Sequence, residues 1–371
     1  MDFSLSETQT ELVGLTRQIL GDRMTLTHLK EVERSEEGFD RATWLELAKA
    51  NLLGIVVPEE LGGLGLGFLD LCLVLREAGR HVPPLPLVPC LVSGVMPWVK
   101  YGTPAQLETV RSVVSGEFIT TVALAEHRGT AQEPQAQATP DGNGGYTITG
   151  VKTTVPFADV ASGMLVSARV AGSDDIVIVA VPTDAAGVTS VRQVGQNYEH
   201  IFEVTLDSVV VGSESVLGSR DNGREILDFM LSRTMVAMTA LIGGVCDQAV
   251  RITAQYTIDR KQFDRQIGTF QAVSQRMADA YINCQAIELT MLQAATHLDE
   301  GREVPDEVAT AKWWACEGGN QIGHACLHIH GGIGIDLDYA IHRYFLWIKQ
   351  AEFTFGSATQ QLLRLGAMLA D

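Results

Sequence analysis

Between Phe270 and Leu298 an apolar residue recurs every seven positions: Phe270, Met277, Cys284, Met291 and Leu298, with Val273, Ala280, Ile287 and Ala294 three further on each time. A helix carrying such a seam must lay it against other long helices, so the segment predicts one member of a four-helix bundle. A second stripe predicts another long helix over about 225–256: Leu227, Met230, Leu231, Met238, Leu241, Val245 and Ile252. Upstream the texture changes. From Ile119 to Gly218 the chain has short runs rich in Val, Ile and Thr (120–125, 146–150, 164–170, 176–181, 200–211), separated by turns such as the Gly/Asp/Asn run 141–145. That spacing predicts a β-barrel or sandwich rather than βαβ units. Before it, Leu12, Leu15 and Ile19, and then Trp44, Leu45, Ala48 and Leu52, return to helical spacing. The expected architecture is mainly α with a middle β domain: a helical domain over 1–118, β over 119–218, and a helical bundle over 219–371.

Charge and composition exclude several functions. Asp and Glu number 45 against 27 Lys and Arg, a formal net charge of −18, which argues against a nucleic-acid partner and against docking on anionic lipid. With 46% hydrophobic and 19% charged residues the chain has ample material for a core. No uninterrupted apolar run of about 20 residues is evident, so membrane insertion is not expected. The N-terminus lacks a basic region followed by an apolar stretch, and the six cysteines form no CxxC pair. They read as buried free thiols in a reducing, cytoplasmic setting.

Two segments carry candidate chemistry. Residues 260–271, Arg-Lys-Gln-Phe-Asp-Arg-Gln-Ile-Gly-Thr-Phe-Gln, lie between the two long helices. A guanidinium beside a turn and the next helix's N-terminus suits a phosphate or pyrophosphate; the alternative is an ordinary interhelical loop with surface charges. Residues 328–334, His-Ile-His-Gly-Gly-Ile-Gly, let backbone approach something flat or charged. His328 and His330 have no Cys, Asp or Glu at helical spacing to complete a metal set, so no metal is expected. Nor is this a dinucleotide fingerprint, because no βαβ unit precedes it.

Taken jointly, PEELGGLGLG (58–67), RKQFDRQIGTFQ (260–271), HGGIG (330–334) and HRYFLWIKQAEFTFGSATQQLLRL (342–365) resemble the acyl-CoA dehydrogenase family over essentially the whole chain. The resemblance implies a C-terminal bundle that builds a dimer of dimers. It also implies non-covalent FAD, and α,β-dehydrogenation of an acyl-CoA substrate with electrons passing to an electron-transfer flavoprotein. Carried over by position, Arg260 and Gln262, with Phe263 beside them, meet the pyrophosphate region of a neighbouring subunit's FAD. Phe270 and Gln271 lie alongside. His328, His330, Gly331, Gly332 and Gly334 belong to the adenosine side.

Elsewhere the chain departs from the family. The ring-side loop reads Ala125-Glu126-His127-Arg128-Gly129-Thr130-Ala131-Gln132, and the Trp-Ile-Thr that covers the flavin falls at Thr154-Val155-Pro156. A threonine lacks an indole's stacking area, and Pro156 lacks a backbone donor. The two family positions for the catalytic glutamate fall at Phe355 and Thr234, neither of which can act as a base near neutral pH. Glu352, one helical turn earlier, is the first of the other carboxylate candidates, ahead of Glu225 and Asp228 on the long helix. The pattern resembles the non-catalytic (β) subunits of actinobacterial α2β2 acyl-CoA dehydrogenases that shorten steroid (cholesterol-type) side chains, which implies a homologous catalytic subunit as partner. Two other readings are kept: a self-sufficient homotetramer using Glu352 on a linear or branched acyl-CoA, and a flavin-free interaction protein retaining only the fold.

Overall fold

The computed structural model describes residues 3–370. Its helices are α1 (Glu7–Arg23), α2 (Leu26–Arg34), α3 (Arg41–Lys49), α4 (Phe68–Gly79), α5 (Met96–Tyr101), α6 (Pro104–Val114), α7 (Gly223–Asp259), α8 (Gln271–Asp299), α9 (Pro305–His330), α10 (Ile341–Phe353) and α11 (Ala358–Ala370). Its main strands are β1 (Thr120–Ala123), β2 (Gln137–Pro140), β3 (Tyr146–Pro156), β4 (Gly163–Val170), β5 (Ile176–Pro182), β6 (Val188–Val194), β7 (His200–Val211) and β8 (Val216–Leu217). Helices therefore flank a β segment in chain order. By internal packing the chain forms two compact units. One comprises residues 1–30, 68–83 and 235–371, and the other residues 31–67 and 84–234.

In the first unit, α1, α4 and the C-terminal helices share a core. Gly79 and Gly244 permit the close approach of α4 to α7: a Cβ on Gly79 would lie 1.9 Å from the Leu241 carbonyl oxygen, and one on Gly244 would lie 1.8 Å from that of Arg76. Only glycine allows backbones to touch in this way. The heptad seam of α8 is buried from Ala280 onward, through Cys284, Ile287, Met291, Ala294 and Leu298. Phe270, Val273 and Met277 at its start are only half-buried, so the first three turns of α8 stand largely in solvent. All six cysteines are free and buried.

Charges also hold this unit. Glu77 of α4 is nearly fully buried and accepts from Arg17 Nε and Nη2 at 2.9 and 3.1 Å, with Arg80 Nε at 3.6 Å and His81 Nε2 at 3.7 Å. Burial pushes its pKa up, but the nearby His81, the hydrogen bonds from Arg17 and the Arg80 charge outweigh it and hold the carboxyl at about 2. A folded pKa depressed from 4.5 gives stabilisation that is complete above about 4.5 and fades as pH falls toward 2. Glu77→Gln should therefore cost about 2 kcal/mol at pH 7. Urea unfolding at pH 7 and pH 3 checks this, since the gap between the two proteins should narrow at the lower pH.

In the second unit the sheet order is β6-β7-β3-β2-β4-β5-β8, with β1 pairing β4 in parallel beside the path. β4 branches the sheet: Gly163–Val166 pair with β1, and Arg169 and Val170 pair with β2. Residues from β1 to β5, β7 and β8 share one apolar core. The sequence pattern missed β2, β6 and β8, which are short or mostly exposed. It also missed a π-helical stretch over Leu87–Val95.

The helical segment Arg220–Asp259 is long and apolar enough by length and composition to cross a bilayer, but 72% of its most apolar window is buried inside the protein. Burial of that kind marks a core helix.

Candidate functional site

Residues 260–271 fold as a tight hairpin. Lys261–Gln262 pair antiparallel with Arg265–Gln266, leaving Phe263 and Asp264 as a two-residue turn with φ of 52° and 61°. Two successive left-handed residues are what a twisted two-residue hairpin requires. The Ile267 amide donates to the Arg260 carbonyl at 2.9 Å and closes the base. Phe263 is 88% exposed; its ring meets Phe270 edge-on at 6.3 Å, and the Arg265 guanidinium lies 4.0 Å from the Phe270 ring centre. Gln262 and Gln271 are exposed. Phe270 caps α8 without a side-chain acceptor, so the first amides of that helix lack a side-chain cap. Arg260 is exposed, and among the described residues no carboxylate is within ion-pair distance of it.

Residues 328–334 end α9 and turn through a short 3₁₀ segment, Gly331–Ile335, with Gly331 at φ 63°. His328, Gly331 and Gly332 are exposed and Gly334 is buried. His330 is buried: its Nδ1 pairs with the Cys326 carbonyl at 2.8 Å, and its Nε2 is 3.2 Å from the Tyr339 hydroxyl. Burial lowers its pKa, so the ring is held neutral as a structural element. Two residues not expected from sequence join the two segments. Tyr256, near the end of α7, stacks on His330 at 4.4 Å. Arg276 of α8 donates through Nη1 to His328 Nδ1. Tyr256 and Arg276 lie just outside the two motifs, where spacing gave no signal.

A guanidinium without a carboxylate, uncapped helix amides and exposed glycine backbone form a donor-rich surface with little acceptor character. That chemistry fits the diphosphate and adenosine portions of FAD. FAD, when bound, would supply the hydride acceptor, and Arg260, the first amides of α8 and the Gly331–Gly332 backbone are the groups that would hold its anionic end.

The loop after α10 keeps an organised backbone. Phe355 has φ 54° and Gly356 φ 107°. The buried Lys312 Nζ donates to the Ala351 carbonyl at 2.6 Å, and Cys316 Sγ contacts the carbonyls of Glu352 and Gly356 at 3.4 and 3.8 Å. Gln361 Nε2 donates to the Phe355 carbonyl at 3.4 Å. A left-handed phenylalanine is a conformational outlier, held here by surrounding donors. The side chain it presents has no titratable group. Glu352 is drawn the other way, into an ion pair with Lys349 Nζ at 2.5 Å, and Lys349 also donates to Asn320 Oδ1 at 3.1 Å.

In the second unit, Thr234 is 1% exposed. Its hydroxyl lies 2.6 Å from the Met230 carbonyl and 2.7 Å from the Ser93 hydroxyl of the π-helical stretch. Both groups are satisfied by one another and by backbone.

The ring-side segment is also internally committed. Thr154 sits at φ 52° within a bulge between Lys152 and Val155, and its amide donates to Gln193 Oε1 at 3.0 Å. Glu126 accepts from the Gln135 and Ala136 amides at 2.7 and 3.0 Å and from Lys152 Nζ at 2.6 Å. Lys152 is fully buried, and burial pulls its pKa below the ordinary lysine range against the pull of Glu126. His127 Nε2 is 2.6 Å from Glu203.

Comparison with known proteins shows the family. The family model "Acyl-CoA dehydrogenase, N-terminal domain" matches residues 6–117, and "Acyl-CoA dehydrogenase, C-terminal domain" matches residues 225–369. The chain is 36% identical to the acyl-CoA dehydrogenase FadE27 of Mycobacterium tuberculosis, over 100% of this chain and 99% of that one. Among solved structures, a chain of a variant of the Tcur3481-Tcur3483 steroid ACAD is 40% identical with a TM-score of 0.93, covering 99% of each chain. A chain of the ChsE4-ChsE5 complex from M. tuberculosis is 34% identical with a TM-score of 0.93, covering 100% of this chain and 99% of that one. With both family models matched and full-length similarity to FadE27, this chain belongs to the acyl-CoA dehydrogenase family.

Proposed function

We propose that this chain is the non-catalytic subunit of a heteromeric, FAD-dependent acyl-CoA dehydrogenase whose substrate is the CoA thioester of a steroid side chain. The observation that carries the reading is Phe355: the loop after α10 is ordered by hydrogen bonds and holds Phe355 in a left-handed conformation, yet this residue, at the family position for the base, has no proton acceptor. Thr234 at the other family position is a buried, satisfied hydroxyl. The cofactor-facing residues Arg260, Gln262, Phe263, Phe270, Gln271, His328, Gly331 and Gly332 remain at least partly exposed. His330 and Gly334 shape that surface from within.

In this reading a homologous partner carries the glutamate that takes the α-proton and most contacts to the flavin ring and thioester. This chain supplies donors to the FAD's anionic end across the interface, in an α2β2 complex that passes electrons to a flavoprotein in the cytoplasm. The steroid substrate is supported by similarity to the Tcur3481-Tcur3483 protein, which is named a steroid ACAD, and the two-component assembly also by ChsE4-ChsE5. The Glu352 homotetramer is disfavoured by the Lys349 pair.

Expression separates the readings. The chain alone should purify colourless and inactive, and co-expression with its homologous partner should give a yellow, active complex. A yellow, active protein from this chain alone would contradict the proposal.

A further inference from the structure

Arg276 has no part in the motifs that suggested a cofactor surface, yet it ties them together. It stands on the exposed first half of α8, five residues beyond Gln271, and donates to His328 Nδ1 on α9. A histidine nitrogen that accepts is unprotonated, so this contact orients the guanidinium without neutralising it. Among the described residues no carboxylate is within ion-pair distance of Arg276. By contrast, Arg17, Arg76, Arg80, Arg169, Arg220, Arg224 and Arg251 each have such a carboxylate. Residues 260–276 contain four cations, Arg260, Lys261, Arg265 and Arg276, against one carboxylate, Asp264. None of the four has a carboxylate within ion-pair distance among the described residues.

We propose that Arg276 is a further anion-binding residue of this surface, oriented by His328 to meet a phosphate of the FAD. The inference rests on the cofactor-surface reading above and adds a residue to it. A guanidinium fixed by a neutral acceptor keeps its remaining N–H groups for an incoming ligand, and phosphate oxygens match that fork. The same chemistry would also suit the phosphates of the CoA thioester, so the test must separate the two.

The experiment uses the assembled complex of this chain with its homologous subunit, stripped of flavin and titrated with FAD, following quenching of flavin fluorescence. Arg276→Gln retains a donor for His328 but removes the charge; it should weaken FAD binding about five- to tenfold. Arg276→Lys should recover part of the loss. Binding of the thioester, measured separately by calorimetry, should not change. Unaltered FAD affinity in Arg276→Gln, with a loss in Arg260→Ala, would overturn the role of Arg276 alone. Unaltered affinity in both variants would overturn the cofactor-surface reading with it. A loss confined to thioester binding would assign the charge to CoA and overturn the FAD assignment. Because Arg276 is exposed, complex size and melting temperature should match the parent protein in both variants.

Discussion

Glu352→Gln in this chain is expected to leave kcat of the reconstituted pair nearly intact, whereas the same exchange at the partner's catalytic glutamate should lower it by on the order of 10²–10⁴. An active thioester site must place its carboxylate within hydrogen-bond reach of the α-carbon proton, and positioning carries much of the rate. Glu352 is instead held in an ion pair by Lys349 at 2.5 Å, three residues before the loop tip. Steady-state oxidation of the acyl-CoA with an artificial electron acceptor checks both variants. A hundredfold loss from Glu352→Gln with flavin content preserved would return catalysis to this chain. Phe355→Glu alone should not create a second active site. The loop could present the new carboxylate, but Thr154 still offers no ring-stacking surface and its amide is taken by Gln193.

Arg260→Ala in the complex should reduce FAD retention by about tenfold or more. A charge-assisted hydrogen bond to a pyrophosphate contributes roughly 1.5–3 kcal/mol, and among the described residues the Arg260 side chain has no carboxylate partner to compete for it. Flavin content after extensive dialysis measures the loss; unchanged content would count against the assignment.

Much of this could be read before the structure, because the strongest patterns are periodic. The α8 seam predicted a long packed helix, and the burial of Cys284, Ile287, Met291 and Leu298 follows it. Its first turns do not: Phe270, Val273 and Met277 continue the repeat without being buried in the chain, and periodicity cannot say which chain covers a seam. The π-helical stretch over Leu87–Val95 was hidden by prolines at 86 and 89, which usually read as loop. β6 was missed because its residues are mostly exposed, so it lacks the alternation that marks a half-buried strand.

The candidate site shows the same division. Arg260, the interhelical segment around it and the glycine run were visible as local motifs, whereas the hairpin pairing of 261–266 was not. The contacts that join them, from Tyr256 to His330 and from Arg276 to His328, connect residues 74 and 52 positions apart. No local pattern encodes such pairs. Phe355 at the family position for the base could be read from the sequence, but the organised backbone of its loop could not, because it depends on Lys312 and Cys316 from another helix.

The central claim is that this chain contributes half of a flavin site, and stoichiometry tests it most directly. Flavin absorbance per chain in the purified complex should give two FAD for every four chains, with this chain and its partner in equal amounts. Four FAD per four chains would mean that this chain holds a flavin of its own, and would contradict the account.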